Sequence, residues 1–598
     1  MTPADSNSAK FLGDLLVGFQ TPTPTSGRGS TSWQREMTDV AWQLWRQPPG
    51  PGWKGFPVAH FTPPGWQIWL LGEVYGHSAG APKLETFLAE IAEGCRPAAE
   101  LNGHLLLLAW NERRREWHVW TDRFGTIHAY HAWRDGVGAL GTCLTPVAEL
   151  ASRRKLDWPA LTGFFGFGFF PQDRTYFDDV RVLRPATHYI FAADGQLQQT
   201  RRYVEWTHQP DPQRSYEDTV AAFGELFEAI MQEQLHAGRV AVPISGGLDS
   251  RSTVAAIRSE MAPRFWSYSY GYGADSVETR ISRQVAAARQ LPFQALAMQP
   301  YLFDRLDLVL ASVEGFQDVT QSRQALVADE LAARADYVIA AHWGDVWLDD
   351  MGLVDDPAGT ISPEQVAAHT LKKMAKRGRA WLLANVCAPQ LPQQSPDDVL
   401  QGYIADGLKP LAQLEDPDFR VKAFKTDNWS FRWTLSSLRM FQPGAFPRLP
   451  FYDIRIADFF STVPSAFVQG RRLQVDFLKR FAPDLARVKW QTQDANLYDY
   501  QKFDPLRLPR RAVRKAWRLA TGRKIIERNW EVQFGGAAGR VGLEHWLVRP
   551  GLRLHEFVSP EKLQGLLTDF QRDPLGEGRG YTVSMLLTFS AWLERHAR

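Results

Sequence analysis

The sequence predicts an α/β protein in two parts: a layered, sheet-rich N-terminal region over 1–210, and a doubly wound parallel sheet with helical additions over 211–598. Three observations predict this. Before residue 207, β-like runs alternate with turns (WQIWLLGEVYG, HLLLLAW, EWHVWTDRFG, HYIFAADG), as in stacked sheets. After residue 240, strand-like and helical stretches alternate in a βαβ rhythm, the mark of a parallel sheet. Between them THQPDPQRS (207–215), rich in proline and polar residues, interrupts both patterns just before the amphipathic run YEDTVAAFGELFEAIMQEQL, so the main boundary is placed there.

The chain has 598 residues, 44% hydrophobic and 22% charged, an ordinary soluble composition. Its net charge of +2 gives no overall field for nucleic acid or a membrane surface, and neither is expected as a partner. No apolar run approaches the ~18 residues that span a bilayer. MTPADSNSAKFLGDLLVGF carries Asp14 within its apolar stretch and lacks a basic start, which makes a poor signal peptide. Cys95, Cys143 and Cys387 lie far apart without CxxC spacing, which argues against a disulfide framework or a zinc site. A reducing cytoplasm is the expected location. TPTPTSGRGSTS (21–32) reads as a loop or disordered insert.

In the N-terminal region, LNGHLLLLAWNERRREWHVWTDRFGTIHAYHAW and FFGFGFFPQDRTYFDDVRVLRPATHYIF resemble the glutaminase domain of class II amidotransferases, as joined to the asparagine synthetase family. The resemblance covers about 66–205 and implies an Ntn-hydrolase-like layered fold. Its chemistry is missing. Working members use an N-terminal cysteine exposed by removal of Met1; here Thr2 and Pro3 follow Met1, and no cysteine precedes Cys95. The family's NGEIYN glutamine pocket reads Leu71-Gly72-Glu73-Val74-Tyr75-Gly76, with leucine for the first asparagine. The resemblance with these departures implies a structural domain that releases no ammonia.

In the second region, Arg239 to Ile244 reads as a short buried strand, Ser245-Gly246-Gly247 ends it, and a helix is expected from about Ser250 or Arg251. A strand, a glycine turn and a helix N-terminus make an anion site; a tight turn needing glycine for geometry alone is the plain alternative. Asp249 beside a phosphate requires a cation between them. Ser245-Gly246-Gly247-Leu248-Asp249-Ser250 resembles the SGGxDS pyrophosphate loop of the ATP-pyrophosphatase (PP-loop) superfamily, which implies ATP. The next strand ends at Ser269-Tyr270-Gly271, where the family receives adenine; core packing is the other reading of Tyr270. YVIAAHWGDVWLDDMG (337–352) is similar to the family's VVLSGEGxDExFGG. That likeness puts Gly344 at the nucleotide and Asp345 opposite Asp249 as a second Mg²⁺ acid, against a helix N-cap. The family's loop glutamate becomes His342, either a base for the incoming amine or an ordinary hydrogen-bonded residue, and the glutamate after the aspartate becomes Val346.

RLPFYDIRIADFFSTVPSAFVQGRRLQVDFLKRFAPDLARVKW (448–490) resembles the family's RVPFLDxxLVEFALSLPxxLKxxGGxTKYLLRxA block. The family's catalytic lysine has no counterpart: Gln474, Val475 or Asp476 stands there, and Lys479, Lys489, Arg471 or Arg472 are the substitutes on offer. Glu314, in a stretch similar to the family's DEP, is either a substrate contact or a surface acid. Residues 354–445 read as helical, with Trp429, Trp433 and Phe441 in the core. RLPRRAVRKAWRLATGRK (507–524) reads as a solvated helix with a buried stripe, or as a grip on an acidic peptide or polyanion. The resemblance implies a ligase that adenylates a carboxylate from Mg-ATP and couples it to an amine. Without a glutaminase it points to the β-lactam synthetases and, first, to the macrolactam synthetases of lasso peptides. Their substrate is a peptide with both acid and amine, served by a precursor protease or leader-binding partner. Asparagine synthesis, amidation of a surface glycan and a non-catalytic scaffold are the alternatives.

Overall fold

A computed structural model describes residues 10–28, 31–76, 83–258, 260–272, 276–354, 360–502 and 528–596. The basic segment 507–524 lies outside the described residues.

Two antiparallel sheets come first. In one the neighbouring strands are Phe11–Leu12, Phe56–Phe61, Trp66–Val74, Gly103–Asn111, Glu116–Thr121, Thr187–Ala192 and Leu197–Arg202. In the other they are Arg181–Val182, Tyr130–Arg134, Val137–Gly141, Asp14–Phe19, Trp42–Gln47 and Gln34–Thr38. Indoles join the layers: the Trp42 ring lies 5.1 Å from Trp110 and 4.8 Å from Trp117, both edge-on. The apolar stretch holding Asp14 is thus an interior strand, buried at all six positions.

The segment 203–215 carries no regular element and leads into the helix Tyr216–Leu235, capped by the Ser215 hydroxyl accepting from the Asp218 N–H. The third sheet follows, all parallel, in the spatial order Phe293–Ala297, Phe265–Gly271, Val240–Pro243, Tyr337–Ile339, Phe446–Arg448. Its first strand in sequence lies at the centre, so connections run outward in both directions from it. The strand order reverses between Val240–Pro243 and Tyr337–Ile339, and the crevice beyond their carboxyl ends is where such sheets take ligands. The chain is therefore α/β, with layered antiparallel sheets and a doubly wound parallel sheet.

The two regions share one continuous apolar core. The Tyr176 ring from the first stacks on Trp592 of the last helix at 3.6 Å. Arg448 sends Nε and Nη2 to the two carboxylate oxygens of Glu73, each at 2.7 Å, and lies 3.5 Å over the Tyr337 ring. Among the described residues no helix is long and apolar enough to cross a membrane.

Candidate active site

The strand Val240–Pro243 ends in a turn whose polar groups close on themselves. The Ser245 N–H donates to Ser250 Oγ at 2.9 Å, the two hydroxyls lie 2.9 Å apart, and the Gly247 N–H donates to Ser245 Oγ at 3.3 Å. The helix Asp249–Ala255 begins one or two residues before the expected start. Gly246 faces Gln491, whose amide oxygen would lie 2.0 Å from any Cβ there. Leu248 points into the core and is fully buried. The loop therefore presents Ser245, Asp249 and Ser250, while Gly246 leaves room for Gln491 and Leu248 anchors the turn in the core.

Those three residues line a cavity of about 460 Å³ at the switch point of the parallel sheet. Ser269 and Tyr270 line one part of it, with Glu278, Arg323 and Gln324. There Gln324 Nε2 donates to the Tyr270 hydroxyl at 3.3 Å and the Arg323 guanidinium lies 5.7 Å over the Tyr270 ring. Gly271 does not reach the cavity; its carbonyl accepts the Met298 N–H at 2.9 Å.

His342 and Asp345 also line it. Asp345 sits in the first turn of the helix Gly344–Trp347, whose N-cap position is Trp343, so it is not the cap. Gly344 is not on the wall, but a Cβ there would stand 3.0 Å from Asp249 Oδ1 and 2.9 Å from the Phe451 ring. It lets the two aspartate segments approach. Trp343 holds a left-handed backbone (φ 79°), a strained conformation for a bulky residue. The Asp249 carboxyl is pushed up to about 6, by burial and by the charge of Asp345, against the pull of Arg471. Arg471 Nη1 and Gln474 Nε2 both donate to Asp249 Oδ1, at 3.1 and 3.0 Å. Of the three residues offered for the missing lysine position, Gln474 is the one that reaches the loop; Val475 is buried and Asp476 bonds the Tyr216 hydroxyl.

Burial lowers His342 to about 4, with Arg323 adding to it and Asp345 opposing it. The ring is neutral at physiological pH and a weak base. Its Nδ1 is buried and has no hydrogen-bond partner among the described residues.

Three other expectations need correction. Lys479 pairs with Asp476 at 3.1 Å and Lys489 with Asp494, and neither lines the cavity. Of the substitute cations only Arg471 reaches a cavity residue, since Arg472 lies over the Tyr216 ring at 3.8 Å. Glu314 is neither a substrate contact nor a surface acid. It is buried at the junction of the two regions, accepting from Arg28 Nη2 and the Leu144 N–H (both 2.6 Å), from Cys143 Sγ at 3.2 Å and from Arg439. Arg28 belongs to the stretch expected as a loose insert, and this burial pins it.

Residues missed in the sequence complete the wall. Lys425, Trp429 and Trp433 line the cavity, and Trp429 and Trp433 are part-exposed to it rather than core. They lie four apart on Thr426–Thr434, a stretch of wide π-helical turns, and such turns often mark functional sites. Phe441 is buried, as expected, and also lines the cavity. Burial pulls the Lys425 ammonium down to about 8, against the opposing charge of Asp345.

Residues 222–345, which contain the loop, His342 and Asp345, match the Asparagine synthase family model. Comparison with curated proteins returns no match. Among solved structures the chain is similar to an NH3-dependent NAD synthetase from Campylobacter jejuni, at 12% identity and a TM-score of 0.18, over 34% of this chain and 98% of that one. It is also similar to glutamine phosphoribosylpyrophosphate amidotransferase from B. subtilis, at 10% identity and a TM-score of 0.17, over 48% of this chain and 60% of that one. A third likeness is to the allosteric regulatory enzyme of purine biosynthesis, at 10% identity and a TM-score of 0.17, over 40% of this chain and 55% of that one. At such scores none of the three informs the site, which rests on its own geometry.

Proposed function

We propose that this protein is an ATP-dependent ligase that activates a carboxylate and joins it to an amine. One observation carries the reading. The Ser245–Ser250 turn and the acids Asp249 and Asp345 open onto a single cavity at the switch point of the parallel sheet, inside the segment that matches the Asparagine synthase model. ATP fits as the substrate, with its phosphates at the hydroxyls of Ser245 and Ser250 and its base at Ser269 and Tyr270. Mg²⁺ fits the two carboxylates, since it takes one or two protein acids and completes its shell with phosphate oxygens and water. No group of three or more His, Cys, Asp or Glu among the described residues could hold a metal, so part of that shell would come from the substrate. The ion would neutralise charge on the departing phosphates.

In the reaction, the substrate carboxylate forms a bond to the α-phosphorus, the bond to the β-phosphate oxygen breaks, and pyrophosphate leaves with the electron pair. The amine nitrogen then attacks the acyl carbon, AMP leaves, and one proton is released. The chain contributes position and charge neutralisation. Arg471 and Gln474 hold the Asp249 carboxylate, and the unpartnered Nδ1 of neutral His342 is suited to accept an N–H of the amine.

We read the amine as part of the substrate itself, so the reaction closes a lactam on a peptide, as lasso-peptide macrolactam synthetases do. Such a peptide comes from a precursor, so a protease or leader-binding partner in the cytoplasm belongs to this reading. Two observations favour an amine that is not made by the N-terminal region. Glu73, at the glutamine-pocket motif, has both carboxylate oxygens committed to Arg448. The buried thiol of Cys143, in that region, is pushed up by burial, away from thiolate chemistry.

AMP and pyrophosphate release tests this, using Mg-ATP with a peptide that carries a free N-terminal amine and an internal Asp or Glu. The parallel reactions contain aspartate with ammonium, and Asp249→Ala is the control. Release with the peptide, lost in the variant, is expected. Release with aspartate instead would replace lactam formation by asparagine synthesis. No release with any acid would refute the ligase.

A further inference from the structure

One stretch of the cavity wall has an unusual composition. Lys425, Trp429 and Trp433 share one face of the helical stretch, and all three keep accessible surface while the residues between them are mostly buried. Trp429 stands edge-on to Trp433 at 5.9 Å. Two ammonium groups flank it, Lys425 Nζ at 5.0 Å and Lys376 Nζ at 4.7 Å from the ring centroid. Neither lysine makes a side-chain hydrogen bond or ion pair among the described residues. Lys425 Nζ also lies 5.7 Å from the Trp343 ring centroid, and Trp343 and Phe441 line the same cavity. Lys425 feels the charge of Asp345 but forms no ion pair with it, so an ammonium set among flat apolar rings in the cavity keeps room for a carboxylate of matching shape.

We infer that this wall receives the acid to be activated, and that the acid carries an aromatic or similarly flat apolar group: its carboxylate pairs with Lys425 while the flat group lies on Trp429 and Trp433. The inference rests on the ligase reading, whose substrate it specifies. A lysine–carboxylate pair is charge-assisted, and apolar walls that lower the local dielectric strengthen it. Ring-on-indole packing adds area and quadrupole attraction. Aspartate fits poorly, because its second carboxylate and its ammonium would be desolvated against indoles without matching partners. Lowered to about 8, the Lys425 ammonium stays mostly charged at neutral pH and can pair with an incoming carboxylate, which would raise it again.

Titration calorimetry on the full-length protein tests it with 3-phenylpropionate, the uncharged 3-phenylpropanamide, aspartate, and N-acetyl-Phe-Asp-amide. Wild type should bind 3-phenylpropionate or the blocked dipeptide at least about tenfold more tightly than the neutral amide and than aspartate. Tighter binding of the dipeptide would identify a peptide side chain as the source of the acid; tighter binding of phenylpropionate, a free aromatic acid. Lys425→Met should weaken the acid by about tenfold and leave the neutral amide unmoved, and Trp429→Leu should weaken both ligands. The wall assignment is overturned by aspartate binding as well as the aromatic acids, by an amide that binds as well as its acid, or by failure of every aromatic ligand. The acid–amide comparison on wild type decides the matter even where a variant fails to fold. Mg-ATP is titrated in parallel. Aromatic acid binding without any Mg-ATP binding would sink the ligase and keep the wall, and the reverse would sink the wall alone.

Discussion

Asp249 works against the stability of the fold at neutral pH, because burial and Asp345 disfavour its charge and push its carboxyl up to about 6. Asp249→Asn is therefore expected to leave the melting temperature unchanged or higher, while ATP-dependent pyrophosphate release falls roughly a hundredfold or more. A large loss of melting temperature would mark the residue as structural. The junction cluster has two opposite pH windows. Burial raises Glu314, but Arg28 and Arg439 outweigh it and hold the carboxyl at about 2, against 4.5 unfolded. Its contribution is complete above pH 4.5 and is lost as pH falls through 2. Asp14 is raised from 3.8 to about 6, chiefly by burial and against the pull of Arg28. Its contribution is complete below pH 3.8 and is lost as pH rises through 6. Urea titrations should show Glu314→Gln costing about 3–5 kcal/mol at pH 7, as breaking a buried pair does. Asp14→Asn should flatten the decline in stability between pH 4 and pH 7. A decline of unchanged size in that variant would assign it to other groups.

Elements with strong local signals were legible, and elements defined by partners were not. The helix Tyr216–Leu235 and the strand Phe265–Gly271 follow from periodicity and flanking turns. Ser245, Asp249, Ser250, Ser269, Tyr270, His342 and Asp345 could be placed at one crevice because a parallel sheet gathers its strand ends. Trp429 and Trp433 were missed as wall residues because nothing in TDNWSFRWT announces wide turns, which tertiary packing imposes, and Lys425, four residues before Trp429, resembles any residue of an amphipathic helix. Glu314 was misplaced because its partners Arg28, Cys143 and Arg439 are scattered over the chain, and only the fold brings them together. Arg448 shows how such partners join elements. From the edge strand Phe446–Arg448 it holds Glu73 of the first sheet and donates to the carbonyls of Gln234 and Ala237, at and just beyond the end of the helix Tyr216–Leu235. Arg448→Met and Glu73→Gln should each cost about 3–5 kcal/mol, and the double variant clearly less than their sum. Strict additivity in chemical denaturation would mean the pair does not join the elements.

At the scale of the whole chain, the boundary expected near 207–215 divides two sequence patterns that the structure packs against one another. Asn102 Nδ2 donates to both oxygens of Asp453, at 3.2 and 3.1 Å, and the Ile454 N–H donates back to Asn102 Oδ1 at 3.1 Å. With Glu73–Arg448, Arg28–Glu314 and Tyr176–Trp592, these contacts tie the first 210 residues to the helix, strand and C-terminal ends of the rest. Each is buried or largely so, and separating the parts would expose apolar surface and leave ionised groups desolvated or unpaired. Even the connecting segment is fastened, because the His208 ring stacks on Phe419 at 4.1 Å and its Nε2 donates to the Val463 carbonyl at 3.0 Å. A protease that cuts within 207–215 is thus expected to nick the chain without releasing either part: both fragments should co-elute on size exclusion and melt in one calorimetric transition. A segment 211–598 produced alone should bind apolar dyes and aggregate. Two resolved transitions with a soluble, folded 211–598 would show instead that the N-terminal region is an appendage, and the tethering role argued from these contacts would fall.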